Sequence, residues 1–201
     1  MKAIKLMFIL SIIFCVISCQ PKELNPAEYT EWVKDYSHGL HKMKTVGDIV
    51  FDLQCKPVEF IVVNEQKGNI PDKELLDTRV NELSKNQYYT LSLKVKDKTV
   101  DFLKYKVTSE KEFYEKLYYY SFAFQNDIFL EDGGKMLPCK LFHFERSYDL
   151  KKSRTFELSF PAAENSTSDK TIVINSKDLN CGPVRIKINQ DDLNSTPRIK
   201  I

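Results

Sequence analysis

Glycine is scarce in this chain, with six residues in 201. No glycine-rich phosphate loop, dinucleotide fingerprint or Gly-x-Ser-x-Gly nucleophile elbow occurs, so the signature sites of nucleotide hydrolysis, nicotinamide chemistry and elbow-type hydrolysis are missing. Charge of one sign is also lacking. Two of the basic residues, Lys2 and Lys5, lie in the first eighteen positions, and the remaining chain has 28 basic and 28 acidic side chains. A neutral chain has no electrostatic footprint for nucleic acid, and no block of like charge forms a polybasic membrane patch. Beyond Ile17 no apolar run approaches the roughly 20 residues that cross a bilayer. Cysteine is sparse, and no pair has zinc or redox spacing. The chain is instead rich in aromatics, with 13 Phe and 10 Tyr. That composition argues for a packed globule and against a disordered stalk.

The N-terminus has three zones. Lys2 and Lys5 give a positive start, and Leu6 to Ile17 is apolar except for Ser11. About twelve apolar residues is a signal-peptide core and too short for a span. The run closes on Val16-Ile17-Ser18-Cys19, which resembles the lipobox of bacterial lipoprotein signal peptides. The resemblance implies cleavage before Cys19 and acylation of its thiol, with several acyl chains giving stable membrane anchoring. The expected organisation is therefore a signal peptide over 1–18, a lipidated tether over 19–27 and one globular domain over 28–201. Gln20, Lys22 and Glu23 match a surface-export signal only in part, because Pro21 interrupts them, so the membrane face is left open.

Cys15 leaves with the signal, and Cys55, Cys139 and Cys181 remain in an oxidising compartment. Three thiols allow at most one bridge. If one forms, Cys139 and Cys181 are the expected partners. Each borders a strand near a turn, at Pro138 and at Gly182-Pro183, whereas Cys55 sits within a strand.

Hydrophobic periodicity divides the domain. A short helix over Glu28 to Tyr36 carries Trp32. Ile49 to Cys55 alternates as a half-buried strand, and Val58 to Val63 reads as a second, central strand. Leu76, Val80 and Leu83 mark one face of a helix from Asp72 to Ser84. Tyr89 to Val95 is the cleanest alternating strand, and Val100 to Val107 reads as another. Ser109 and Glu112 have capping-box spacing ahead of a helix bearing Phe113, Leu117, Tyr120 and Phe124. Asp132-Gly133 suits a hairpin turn, with Cys139 to Arg146 as the returning strand. Phe156 to Phe160, Ile172 to Ile174 and Val184 to Ile188 complete the set. The reading is α+β, with eight or nine mostly antiparallel strands, two longer helices and a sandwich-like C-terminal third.

The chemical candidates are few. His38 and His41 lie three apart, but Gly39 between them weakens a helix by about 1 kcal/mol and no glutamate accompanies them. Cys139 and His143 on one strand stand roughly 13 Å apart, beyond hydrogen-bond reach. Asp127, Glu131 and Asp132 lack the alternating ligand pattern of a calcium loop. No metal, cofactor or catalytic set is expected. The Tyr118-Tyr119-Tyr120 run reads as core and rim of its helix.

As a whole the chain resembles small lipoproteins of the Bacteroidota. The resemblance rests on the lipobox, the segment from Trp32-Val33 to Gly39-Leu40, and the segment from Leu137-Pro138-Cys139 to Phe144-Glu145-Arg146. It implies a compartment, the outer-membrane envelope, and carries no activity. The leading expectation is a binding or assembly component held to the membrane through lipid on Cys19, with an envelope protein as partner. The alternatives are an envelope hydrolase whose acids converge only in the fold, and an inhibitor or immunity-type lipoprotein.

Overall fold

The computed structural model describes residues 22–66, 71–145, 151–163 and 166–201. The signal segment, Cys19 and Arg146 lie outside them. The class is α+β, with eleven strands and five α-helices among the described residues. No described helix is long and apolar enough to cross a membrane.

Five strands form one antiparallel sheet in the order β2-β3-β4-β8-β7: β2 (His41–Val46), β3 (Ile49–Lys56), β4 (Asn86–Val95), β8 (Arg154–Pro161) and β7 (Leu141–Phe144). Four form a second antiparallel sheet in the order β10-β9-β5-β6: β10 (Val184–Ile188), β9 (Lys170–Ile174), β5 (Ile128–Asp132) and β6 (Lys135–Pro138). A parallel pair, β1 (Glu23–Leu24) with β11 (Arg198–Ile199), joins the two ends of the described chain. Both large sheets contribute to one core. Phe51, Leu53, Leu91, Leu93, Phe156 and Leu158 come from the first, and Leu130, Ile172, Ile174 and Ile186 from the second. Strands from the whole length of the domain thus line this core.

Five helices surround this core: α1 (Pro26–Lys34), α2 (Val58–Glu65), α3 (Lys73–Leu83), α4 (Glu110–Tyr118) and the short α5 (Gln190–Asn194). In α1, Asn25 and Glu28 form a reciprocal capping box, with Pro26 in the first turn. In α4, Ser109 caps Glu112 N, while the Glu112 carboxylate turns to Thr108 N and Oγ1. A π-turn over Tyr119–Ala123 continues α4 and buries Tyr120 and Phe124 while leaving Tyr118 exposed.

Several expectations need correction. Val58 to Val63 is the helix α2, not a strand. Pro57 has no N–H to extend the β3 ladder and sits at the helix N-cap instead. Val100 to Val107 is a chain of turns organised by Asp101, which accepts from Leu103 N and pairs with Arg154 at 2.8 Å, both side chains 4 % exposed. The strand that returns from the Asp132-Gly133 hairpin is Lys135–Pro138. The chain then changes sheets, and Leu141–Phe144 pairs with β8. Part of the expected tether, Glu23 to Ala27, belongs to the fold through β1 and α1.

At one end of the core lies a polar cluster. Alternation along β5 turns Asp132 to the same face as Ile128 and Leu130, and the register sets it opposite Lys170 on β9. Lys170 Nζ lies 2.7 Å from Asp132, with the two side chains 8 % and 0 % exposed. Asp132 also accepts from Ser166 and Ser168 and, at 2.9 Å, from Gln87 Nε2 on the other sheet. Removing one partner of a buried ion pair strands the other. Asp132→Ala is therefore expected to lower stability by about 3–5 kcal/mol in urea unfolding, and Asp132→Leu combined with Lys170→Met to recover part of that loss.

Candidate functional site

Pleating gives the five-stranded sheet a polar face opposite its core face. In register across the strands lie His41, Gln54, Thr90, Glu157 and His143. The adjacent row holds Met43, Asp52, Ser92 and Thr155. α2 follows β3 directly and borders this surface with Phe60, Ile61, Asn64 and Glu65. The result is an open cleft of about 590 Å³, floored by Gln54, Thr90, Ser92 and Thr155.

The charges at the cleft are already engaged. His41 Nδ1 lies 2.7 Å from the Lys34 carbonyl and Nε2 lies 2.7 Å from Asp52 Oδ1. The Lys34 carbonyl accepts, and so does Asp52 when ionised, so this geometry favours the imidazolium, in which both ring nitrogens donate. Burial pushes its pKa down, but the hydrogen bonds to Asp52 and to the Lys34 carbonyl outweigh it and hold the pKa above its ordinary value. For Asp52, burial pushes the pKa up. Hydrogen bonds from His41 and Tyr36 and the charge of Lys94, 3.6 Å away, outweigh it and leave the carboxyl below the usual range. Tyr36 stacks on His41 at 3.7 Å between ring centroids, and its hydroxyl donates to Asp52. Burial and the Asp52 charge raise the Tyr36 hydroxyl to about 12. Farther along the row, Lys56 pairs with Glu157, which also accepts from Thr90 Oγ1 at 2.9 Å. Gln54 is spent on the carbonyls of Val33 and Cys55.

The residues singled out from the sequence are dispersed. His38 stacks on Trp32 and donates through Nδ1 to its carbonyl at 2.8 Å, so His38 and His41 serve different partners. Asp127 accepts from Tyr119, Glu131 pairs with Arg185, and Asp132 holds Lys170. Among the described residues no three His, Cys, Asp or Glu side chains are grouped to hold a metal. Cys55, Cys139 and Cys181 are free thiols. Cys139 follows β6 and Cys181 precedes β10, and these strands are opposite edges of the four-stranded sheet. Three strand spacings of about 4.8 Å separate those edges. Burial pushes Cys55 to about 12 and Cys139 to about 11, so neither is an activated thiolate. Cys19 lies outside the described residues.

One contact has the form of a nucleophile and base. Lys170 Nζ lies 2.7 Å from Ser166 Oγ. A lysine base must be neutral, whereas this ammonium is held by the Asp132 carboxylate. The same carboxylate accepts from Ser166, so the cluster binds charge rather than releasing a proton. The His41–Asp52 pair had no signal in the sequence beyond a histidine ahead of an alternating strand. Only the β2–β3 register brings the two together.

No family model matches the chain, and no curated protein does. Among solved structures, the chain is similar to a crystal structure of a DUF4426 family protein from Pseudomonas aeruginosa PAO1, with 13 % identity over 75 % of this chain and 94 % of that one. The TM-score is 0.37, too low for anything to rest on it.

The paired shifts at His41 and Asp52 give a pH signature. A raised histidine contributes stability that is complete below its unfolded value of about 6.5 and is lost as pH rises through the folded value. A lowered Asp52 contributes above its unfolded value of about 3.9, and its contribution is lost as pH falls through the folded value. The stability difference between the parent and His41→Gln is thus expected to be largest between about pH 4 and 6.5 and to shrink as pH rises through the raised folded value. Chemical unfolding across that range measures it, and a difference that grows with pH would contradict the charged-histidine assignment.

Proposed function

We propose that this protein is a lipid-anchored binding component of the cell envelope. It is held to the outer membrane through Cys19 and receives its ligand in the cleft over the polar face of the five-stranded sheet. The observation that carries the reading is the chemistry of that cleft. Within it His41 pairs with Asp52 and Lys56 with Glu157, and at its rim Lys34 lies beside Glu31 and Glu65 pairs with Arg79. What remains to meet a ligand is the hydroxyl-bearing floor of Thr90, Ser92 and Thr155 beside the apolar wall of Phe60 and Ile61. An apolar wall with a few polar groups that fix orientation is the usual make-up of a binding site. This one suits an uncharged polar ligand with one apolar side. The lipobox residues Val16 to Cys19 support the anchor and the compartment.

Two measurements test the reading. Intact mass of the membrane-extracted protein is expected to show an acylated Cys19 as its first residue, and Cys19→Ser to leave unprocessed precursor. A mature chain beginning elsewhere would refute the anchor. A photo-crosslinking residue at Ser92 in the native cell is expected to capture one discrete envelope component, and Thr155→Trp, by filling the cleft, to abolish that capture without lowering the melting temperature. Capture that survives the filled cleft would move the binding surface elsewhere.

A further inference from the structure

We infer that the face formed by β1, β11 and α1 rests on the zwitterionic phospholipid headgroups of the membrane that holds the lipid. This inference depends on the anchor reading above. Its source is the distance from the anchor to the folded body. Lys22 is already fixed, because Arg198 N donates to its carbonyl at 2.9 Å, and Lys200 N donates to that of Leu24 at 2.8 Å. Only three peptide steps separate Cys19 from Lys22. At no more than about 3.6 Å each, they reach roughly 11 Å. A domain of this length has a radius of gyration of about 16 Å. The body is therefore wider than its leash is long, and the side bearing Lys22 faces the bilayer.

The chemistry of that side suits headgroups. A shallow cleft there is lined by Lys22, Leu24, Trp32, Lys34, Tyr36 and His38, among others. Tryptophan and tyrosine have an apolar body and a polar edge, which favours them at membrane interfaces. The exposed cations Lys22, Lys34, Arg198 and Lys200 are matched by the exposed acids Glu23, Glu28, Glu31 and Asp35. A mixed face of this kind complements headgroups that present both a phosphate and an amine, and gains little from a uniformly anionic surface. The ligand cleft adjoins this side, since Lys34 lines both clefts. Ligand would thus be met close to the membrane surface.

Trp32 is the only tryptophan in the chain, so its emission reports on this face. A second reporter belongs at Lys98, an exposed residue beyond Val95. Val95 pairs with Ile49 at the end of the sheet opposite the His41–Gln54 pair. The lipidated full-length protein is reconstituted in phosphatidylethanolamine–phosphatidylcholine vesicles carrying a nitroxide on a fraction of the headgroups. Trp32 emission is expected to be strongly quenched. Emission from the Trp32→Phe, Lys98→Trp variant, in which the ring stacked on His38 is kept, is expected to lose several-fold less. Equal quenching of the two reporters, or stronger quenching at position 98, would overturn the inference while leaving the anchor intact. A protein without acyl mass that is not retained on the vesicles would refute the anchor, and this inference with it.

Discussion

Two sheets meet in this protein around a charge that water does not reach. Asp132 and Lys170 face each other across β5 and β9, and Gln87 reaches over from β4 to the same carboxylate. Placing ions at the margin of an apolar core is unfavourable unless every donor and acceptor is matched. Here two serines from the segment just before β9 complete the carboxylate's shell. The arrangement has a geometric consequence. A slip of one residue along β5 would turn Asp132 outward and bring Glu131 to the inner face in its place. The ion pair therefore ties strand register, sheet spacing and the fold of the 166–169 segment to one contact.

The outer face of the five-stranded sheet follows a related rule in a wetter setting. His41, Asp52, Tyr36 and Lys94 form one group, and Lys56, Glu157 and Thr90 another. Each group fixes an edge of the cleft to its surroundings. The first ties β2 and β3 to the last turn of α1, and the second ties β3 to β8. The side chains that rim the cleft are thus held in place by one another.

Much of the fold was legible wherever periodicity was unambiguous. Tyr89, Leu91, Leu93 and Val95 are buried in strict alternation, and the helix expected over 72–84 spans Lys73–Leu83. Val58 to Val63 misled because a short, wholly apolar run fits a strand or a helix equally well, and the deciding residue, Pro57, lies just before it. β2 escaped notice because His41–Val46 carries two lysines and little apolar pattern, as suits a strand at a sheet edge. The His41–Asp52 site was hidden for a further reason. Its partners are eleven positions apart, and only the hairpin through Gly47, at φ 59°, sets them side by side. Long-range pairs such as Lys170 with Asp132, or Arg154 with Asp101, depend on strand order, which local pattern does not encode.

The parallel pairing of β1 with β11 bears on how the chain closes. Its two strands are separated by almost the whole sequence and held by few backbone hydrogen bonds, including those from Arg198 and Lys200. A contact of such wide separation carries the largest loop-closure entropy in the molecule and forms after the local ones. The strand synthesised first must wait for the strand synthesised last. Docking of β1 therefore reports that the chain as far as β11 has taken its place in the fold.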